Sequence, residues 1–500
     1  MLFNSYEFLF IFMPVVAFGF FLISKYTCKG AAVWLALASL FFYSFWSIKA
    51  LPLLLSSVVI NYLFGKYLSS SIHTNFSDEV FRKWLLFGAV SANLLLLGYF
   101  KYVNFFIDNF NFIVGAVSLN KIQNLEVVLP IGISFFTFTQ IAFLVDCWQG
   151  KVKERKFTHY LLFVTYFPHL IAGPVLHHSQ MMPQFVKKES YQINYNNIAL
   201  GIIICIIGLA KKVLIADALA EYADLVFKNA SEGAAPNFFS AWYGTLAYTF
   251  QIYFDFSAYS DMAIGFSLFF NIHLPHNFNS PYRATSMIDF WRRWHISLSN
   301  FLRDYVYIPL GGRRAGKARR YTNIFITMLL GGLWHGNTWT FVLWGMLHSF
   351  FLIVNHIWRE LGFDRILESK MWTFISWGLT FVCICFSWVL FKSESLTTAM
   401  IMYKSLVNFK EIFVDINIWA YTKLLYQNAT SWMFLSAGML FFLMLPPTHL
   451  FNEKFKENTV AYKLFESRYV LSFGILLMIS VFTLSIFNFG KHSPFLYFQF

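Results

Sequence analysis

The feature that constrains this chain most is the recurrence of apolar runs long enough to cross a lipid bilayer. Runs of about 17 to 25 residues, the length that a helix needs to span the hydrocarbon core, occur from one end of the sequence to the other. The pattern therefore predicts an all-α, multi-pass membrane protein.

The composition agrees with a membrane setting and argues against a nucleic-acid partner. Hydrophobic residues make up 58% of the 500 residues and charged residues 13%, against roughly a quarter charged in soluble domains. The formal charge of +13 fits basic loops held at the inner leaflet, so we expect contact with membrane lipid and none with nucleic acid. The five cysteines show neither zinc-type nor disulfide spacing, and we expect them to be small core residues.

The first apolar run predicts a retained transmembrane helix, because residues 1–24 carry no basic leader and no small-residue cleavage site. Lys25 and Lys29 follow this run while only Glu7 precedes its apolar part, which places the N-terminus outside. We expect roughly ten to twelve spans in one membrane domain, 1–500, and one of them ends just before Lys101. Besides the runs discussed below, the expected spans are 31–46, 51–68, 84–100, a weaker 105–117, 129–150, 372–391, 432–445 and 470–487.

Two further apolar segments carry interruptions or charges. Pro168, Gly173 and Pro174 interrupt the segment 159–185, and such breaks are tolerated at membrane depth only where protein or a wet cavity covers the backbone. We expect a broken or re-entrant piece that lines the site. The next helix, 198–215, contains Lys211 and Lys212 near its end, which favours a cytoplasmic exit there.

Asp255 and Asp261 lie in the long apolar and aromatic run 238–274. A carboxylate away from water needs a partner, since an unpaired buried charge costs several kcal/mol. Either the two aspartates pair with neighbouring arginines, or they donate or accept protons directly. Both interpretations stay open.

The stretch 289–312, DFWRRWHISLSNFLRDYVYIPLGG, combines basic and aromatic residues around His295. Apolar residues recur there at spacings of three and four, which predicts an amphipathic helix at the cytoplasmic interface that ends near Gly311 and Gly312. Its arginines suit phosphate contacts with an acyl-CoA, although ordinary anchoring at the inner leaflet is an equal alternative. The candidate donor-binding residues are Arg292, Arg293, Trp294 and Arg303, and the candidate supporting residues are Asp289 and Asp304.

A second stretch, GGLWHGNTWTFVLWGMLHS at 331–349, sets His335 inside the apolar run 324–358. An ionisable group in such a run is costly and is a functional candidate by default. We interpret His295 and His335 as the two histidines of an acyl-transfer site, because a pKa near 6.5 suits a base that takes a hydroxyl proton. His348 would lie three to four turns beyond His335 on a single helix, and we expect a supporting role for it.

Two other kinds of site are not indicated. No G-x-S-x-G elbow is evident, which favours direct attack by the acceptor over an acyl-serine enzyme. His295 and His335 have no companion ligands at a recognisable spacing, so we expect no metal.

The two stretches resemble motifs of the membrane-bound O-acyltransferase family, in its alginate and peptidoglycan O-acetylation branch. The similarity extends in order through LPIGISFFTFTQIAFLVD, FPHLIAGPVLHHSQMMPQF, QIYFDFSAYSDMAIG and HNFNSPYRATSMIDF, and covers most of residues 1–400. It implies a helical bundle with interfacial and re-entrant helices around a central tunnel. The motif-bearing core would be about 126–355 and the C-terminal helices about 370–500. By this resemblance, His335 falls on the catalytic histidine and His295 on the second functional histidine.

The resemblance also implies a reaction and its partners. An acetyl group would pass from acetyl-CoA, used as a substrate and not as a bound cofactor, across the bacterial inner membrane to a hydroxyl acceptor. A separate periplasmic or extracellular SGNH-type acetyltransferase would then place it on a cell-envelope polysaccharide. One alternative is D-alanyl transfer to teichoic acid from a carrier-protein thioester. Another is a transporter or flippase with a histidine and carboxylate proton relay, which predicts paired repeats that we do not find.

Overall fold

The computed structural model describes residues 1–70, 76–115, 120–171, 173–314, 316–363, 369–411, 436, 468–489 and 495–496. These residues form helices joined by turns and contain no strand, so the all-α prediction is confirmed. The α-helices are α1 Met13–Ser24, α2 Cys28–Trp46, α3 Leu51–Ser70, α4 Phe76–Gly115, α5 Ile133–Trp148, α6 Phe157–Thr165, α7 His178–Met181, α8 Tyr195–Ala210, α9 Asp217–Ser231, α10 Phe238–Phe269, α11 Met287–Arg293, α12 Ile296–Leu302, α13 Lys317–His335, α14 Trp339–Glu360, α15 Lys370–Lys392, α16 Leu396–Leu406 and α17 Arg468–Phe487. The π-helical segments are Glu7–Phe12, Lys211–Ala216 and Arg303–Tyr307.

Seven helices among the described residues are long and apolar enough to cross a membrane, which confirms a multi-pass membrane protein. They are Glu7–Ser24, Cys28–Trp46, Ile48–Ser69, Glu79–Gly115, Tyr195–Ser231, Trp339–Glu360 and Lys370–Lys392, and the shorter apolar helices are Ile133–Trp148 and Gly474–Phe487. Apart from residue 436, the expected span 432–445 lies outside the described residues. The total of ten to twelve spans therefore stays a prediction.

The expected spans 84–100 and 105–117 are not separate, and that prediction was wrong. One helix of 40 residues, α4, runs through 84–100 and on to Gly115, and residues 116–117 lie outside the described residues. Lys101, which was expected to end the first span, is only 6% exposed, and its Nζ lies 3.4 Å from Ser134 Oγ. The lysine therefore lies within protein contacts on a continuous helix.

The chain divides into two compact units, and the prediction of a single domain stays a prediction. The first unit is Met1–Cys205 with Met262–Pro275, and the second is Ile206–Asp261 with His276–Phe500. Within the first unit, Gln140 on α5 accepts a hydrogen bond from Tyr160 on α6 over 3.2 Å and donates one to Ser57 on α3 over 3.0 Å. Such buried polar contacts hold membrane helices together where packing against lipid provides little driving force.

The expected break in the segment 159–185 is confirmed within the first unit. Helix α6 ends at Thr165, and the described residues after it form turns and extended backbone until α7 begins at His178. The His178 Nδ1 lies 2.8 Å from Asp146 Oδ2 on α5, with both side chains buried. This contact fixes the end of the broken segment on α5.

In the second unit, α13 and α14 form a hairpin with close backbone contact. A Cβ added to Gly332 would lie 2.4 Å from the Phe341 carbonyl oxygen, and one added to Gly345 would lie 2.5 Å from the Met328 carbonyl oxygen. Only glycine permits this approach of the two backbones. The hairpin positions His335 at the end of α13.

Candidate active site

His295 lies at a break between two short helices, where a single amphipathic helix was predicted. Helix α11 ends at Arg293 and α12 begins at Ile296, while His295 adopts the left-handed conformation with φ 42° and ψ 55°. The prediction was wrong because the apolar spacing continues across this change of backbone direction. Left-handed conformation is uncommon for a non-glycine residue, and such strain clusters at functional sites.

A neighbouring extended segment holds the break in place. The Ile296 N–H donates to the Asn277 carbonyl and the Asn279 N–H donates to the Arg293 carbonyl, each over 2.9 Å. These bonds flank His295 on both sides. The segment before α11 therefore determines how the His295 ring enters the core.

The His295 side chain is fully buried and hydrogen-bonded. Its Nδ1 lies 3.1 Å from Asn277 Oδ1, and that oxygen also accepts from the Ser297 N–H over 3.2 Å and the Ser297 hydroxyl over 2.9 Å. Burial lowers the pKa of His295, which lies outside the seven apolar helices, to about 3. The imidazole is consequently neutral at physiological pH.

His335 is the last residue of α13 and is 3% exposed. Its ring lies 5.0 Å from that of Trp334, 5.1 Å from that of Trp344 and 5.0 Å from that of Phe391. A Cβ on Gly336 would lie 2.1 Å from the Phe341 ring, so any larger residue here would displace that ring. His335 thus occupies an aromatic cage at a helix end.

Trp334 connects the two histidines. Its ring centroid lies 5.9 Å from the His295 ring and 5.0 Å from the His335 ring. Residues that lie 40 positions apart in the sequence therefore contact one indole within the second unit. Their catalytic roles stay a prediction.

His348 lies nearer to His335 than expected. The expected separation assumed one helix for both residues and was wrong, because α13 ends at His335 and α14 begins at Trp339. The Trp344 ring lies 5.1 Å from the His335 ring and 4.5 Å from the His348 ring. The Trp291 indole N–H donates to His348 Nδ1 over 3.2 Å. A single indole therefore separates His348 from His335.

Two of the candidate donor-binding arginines, Arg293 and Arg303, pair with Asp289 and Asp304. The Arg293 Nε lies 2.9 Å from both Asp289 carboxylate oxygens, and the Arg303 Nε lies 2.7 Å from Asp304 Oδ1. Arg292 is exposed. These three arginines therefore lie at or near the protein surface, where phosphate binding and lipid anchoring are both compatible with their positions.

Trp294 has a different setting from these arginines. It is 1% exposed, and its ring lies 4.9 Å from that of Trp388 and 5.7 Å from that of Phe290. It is therefore part of the aromatic packing behind the site, and its predicted contact with the acyl donor stays a prediction.

Asp255 and Asp261 pair with lysines, so their predicted pairing with arginines was wrong. The Lys212 Nζ lies 2.7 Å from Asp255 Oδ1 and 2.8 Å from Asp217 Oδ1, and the Lys211 Nζ lies 2.7 Å from Asp261 Oδ2. The helix expected over 198–215 does not end there, because it continues through Lys211–Ala216 into α9, and the cytoplasmic exit at these lysines stays a prediction. A proton-transfer role for the two aspartates stays a prediction.

Sequence reasoning missed Asn277 and Trp334 as site residues. Both lie in quoted motifs, HNFNSPYRATSMIDF and the stretch with His335, but neither titrates, and titratable residues were the signal followed.

Within the described part of the chain, no group of three or more His, Cys, Asp or Glu residues could hold a metal ion. The expectation of no metal stays a prediction.

Comparisons with known proteins agree with these motifs. The family model for MBOAT, the membrane-bound O-acyltransferase family, matches residues 40–397. The chain is 44% identical to the peptidoglycan O-acetyltransferase of Helicobacter pylori over 434 residues, 81% of this chain and 80% of that protein. It is 39% identical to the probable alginate O-acetylase of Pseudomonas aeruginosa over 415 residues, 82% of this chain and 75% of that protein.

A third relative is named for the transfer of a different acyl group. The teichoic acid D-alanyltransferase of Bacillus subtilis is 28% identical over 274 residues, 53% of this chain and 69% of that protein. The family model spans well over half of the chain and includes His295, His335 and His348. This chain belongs to the membrane-bound O-acyltransferase family.

Proposed function

We propose that this acyltransferase moves an acetyl group from cytoplasmic acetyl-CoA to a hydroxyl acceptor reached from the outer side of the bacterial inner membrane. The observation that carries the proposal is the pair of buried histidines, His295 and His335, around the Trp334 indole. Two relatives with broad coverage are named for O-acetylation. The D-alanyl alternative is less favoured, because that relative matches only 53% of the chain.

His335 would act as the general base. Its imidazole would take the hydroxyl proton as the acceptor oxygen attacks the thioester carbon, and the carbon–sulfur bond would then break. The proton would pass to the departing thiolate, which leaves as free coenzyme A, and the imidazole would return to its neutral form. The aromatic cage around His335 would exclude the water that otherwise hydrolyses the thioester.

The same proposal assigns roles to basic residues at the cytoplasmic face and to a partner and an acceptor outside the membrane. Arg292, Arg293 and Arg303 would contact the phosphates of acyl-CoA at the cytoplasmic face, and Lys25 and Lys29 would keep the first loop on that side with the N-terminus outside. An SGNH-type acetyltransferase outside the membrane would receive the acetyl group on a serine. The final acceptor would be a cell-envelope polysaccharide such as alginate or peptidoglycan.

The test is the consumption of radiolabelled acetyl-CoA by the purified protein in nanodiscs, with and without a candidate SGNH-type partner. We expect turnover by the wild type and loss of at least about 100-fold in a folded His335→Ala variant, the range that a positioned base contributes. His273→Ala is the matched control, because His273 is exposed and lies outside the second unit.

Two outcomes would overturn the proposal. Turnover of a D-alanyl carrier-protein thioester in place of acetyl-CoA would transfer the assignment to D-alanylation. Substrate flux in proteoliposomes, with no thioester consumed under any condition, would favour a transporter.

A further inference from the structure

We infer that Asn277 is a positioning residue that holds His295 as the Nδ1–H tautomer, so that Nε2 carries the lone pair. Its use in acyl transfer rests on the proposed function, whereas the tautomer itself does not. The argument starts from the orientation of the Asn277 amide.

Hydrogen bonds identify which Asn277 atom faces His295. The Ser297 backbone N–H can only donate, and it points at the Asn277 side-chain atom that also lies 3.1 Å from His295 Nδ1. That atom is therefore the amide oxygen, an assignment made from the hydrogen-bond network. The Asn277 Nδ2 then faces Ser260 Oγ at 3.4 Å, which can accept from it.

The orientation of Asn277 determines the proton position on His295. An amide oxygen accepts and never donates, so the hydrogen between the two residues belongs to His295 Nδ1. A neutral imidazole carries one ring hydrogen. Nε2 is then the basic nitrogen, and it is the nitrogen that would accept a proton or a hydrogen bond in the reaction.

Asn277 also holds the backbone of the histidine segment. Its carbonyl accepts from the Ile296 N–H over 2.9 Å, directly after the left-handed His295. One residue thus orients both the main chain and the ring, as expected for the support of a functional side chain. The rings of Phe256 and Trp334 also contact the His295 ring, at centroid distances of 4.7 Å and 5.9 Å.

The first experiment reads the tautomer without any assay of activity. The full-length protein is labelled with ¹⁵N-histidine, and the His295 signals are assigned by their loss in His295→Asn. We expect a protonated Nδ1 and an unprotonated Nε2 in the wild type, and a mixture of tautomers in Asn277→Ala. A wild-type His295 protonated at Nε2 would overturn the inference.

The second experiment measures the pH dependence of acyl transfer in Asn277→Asp. A carboxylate about 3 Å from Nδ1 stabilises the imidazolium and raises the pKa of His295 by about 1–3 units. The pKa of His295, about 3 in the wild type, then rises to about 4–6 and adds a second protonation to the acidic limb of the kcat profile. Below about pH 6, kcat of Asn277→Asp should therefore fall more steeply with decreasing pH than kcat of the wild type. Asn279→Asp is the matched control, because only the backbone of Asn279 pairs near the break.

The two experiments distinguish a wrong tautomer assignment, the absence of a role for His295 Nε2, and a wrong proposed function. An acidic limb that is the same in folded Asn277→Asp and Asn279→Asp would overturn a role of His295 Nε2 in the reaction. If the wild type transfers no acyl group from any thioester, the proposed function fails, and the ¹⁵N spectra alone then decide the tautomer. Asn277→Ala should lower kcat by less than the roughly 100-fold that is the lower limit for a positioned acid or base, because the imidazole itself remains.

Discussion

Replacement of Lys212 by methionine should destabilise the protein more than any surface substitution. Lys212 is 1% exposed and contacts the carboxylates of Asp217 and Asp255 at 2.8 Å and 2.7 Å. Methionine keeps the length of the side chain but removes the cation that both carboxylates share. Removing one partner of a buried ion pair costs about 3–5 kcal/mol.

The structure indicates where within that range the loss in the free energy of unfolding should lie. The second oxygen of Asp255 accepts from the Leu496 backbone N–H over 3.0 Å, and this bond remains in Lys212→Met. A hydrogen bond to a charged group contributes about 1.5–3 kcal/mol. We therefore expect a loss of about 3 kcal/mol, the lower end of the range.

The assay is equilibrium unfolding in mixed micelles or bicelles, followed by tryptophan fluorescence. Lys228→Met is the matched control, because Lys228 and Glu232 form an exposed i,i+4 pair with a 4.0 Å separation. Such a pair contributes less than about 0.5 kcal/mol. A triple variant with Lys212→Met, Asp217→Asn and Asp255→Asn should recover most of the lost stability, since no buried charge remains in that cluster.

The reasoning is refuted if Lys212→Met and Lys228→Met unfold at the same denaturant concentration. It is also refuted if the triple variant is less stable than Lys212→Met. The first result would mean that the buried Lys212 contributes no more than an exposed lysine, and the second would mean that the two carboxylates stabilise the folded state without Lys212.

Two further predictions use the same unfolding assay. Trp291→Phe removes the N–H that donates to His348 Nδ1, leaves a buried acceptor unsatisfied, and should lower the free energy of unfolding by about 1–3 kcal/mol; unchanged stability would contradict that hydrogen bond. Gly332→Ala should destabilise the α13–α14 hairpin, because its Cβ would meet backbone at 2.4 Å, whereas Gly378→Ala, with open space around the Cβ, should gain up to about 1 kcal/mol. Equal effects of the two alanines would argue against close backbone contact.

The sequence identified candidate site residues where the cost of burying an ionisable group was the signal. His335, Asp255 and Asp261 were identified because an ionisable residue in an apolar run is costly wherever the chain folds. Their partners depend on tertiary packing and could not be derived in the same way. Lys212 and Lys211 lie 43 and 50 residues before the aspartates that they contact, beyond the reach of any local pattern.

Besides the partners of the buried charges, the local backbone geometry near His295 and His335 was also mispredicted from the sequence. Apolar spacing through the His295 region measures which side chains are buried, and it is insensitive to one residue with positive φ. The turn after His335 was different, since Gly336, Asn337 and Thr338 are ordinary signals of a helix end. Giving those three residues more weight would have placed His335 and His348 on separate helices from the sequence alone.

The left-handed backbone at His295 has a consequence for how this position can be probed by mutagenesis. Alanine at φ 42° would keep the roughly 1–2 kcal/mol of left-handed backbone strain that any Cβ meets there, while it loses the hydrogen bond to Asn277 and the ring contacts that hold His295. An alanine variant would therefore confound loss of the imidazole with distortion of the α11–α12 junction. Glycine would relax the strain but loosen the junction. Asparagine tolerates this conformation and lacks a titrating ring. His295→Asn is therefore the substitution that removes the imidazole while it keeps the backbone of the α11–α12 junction.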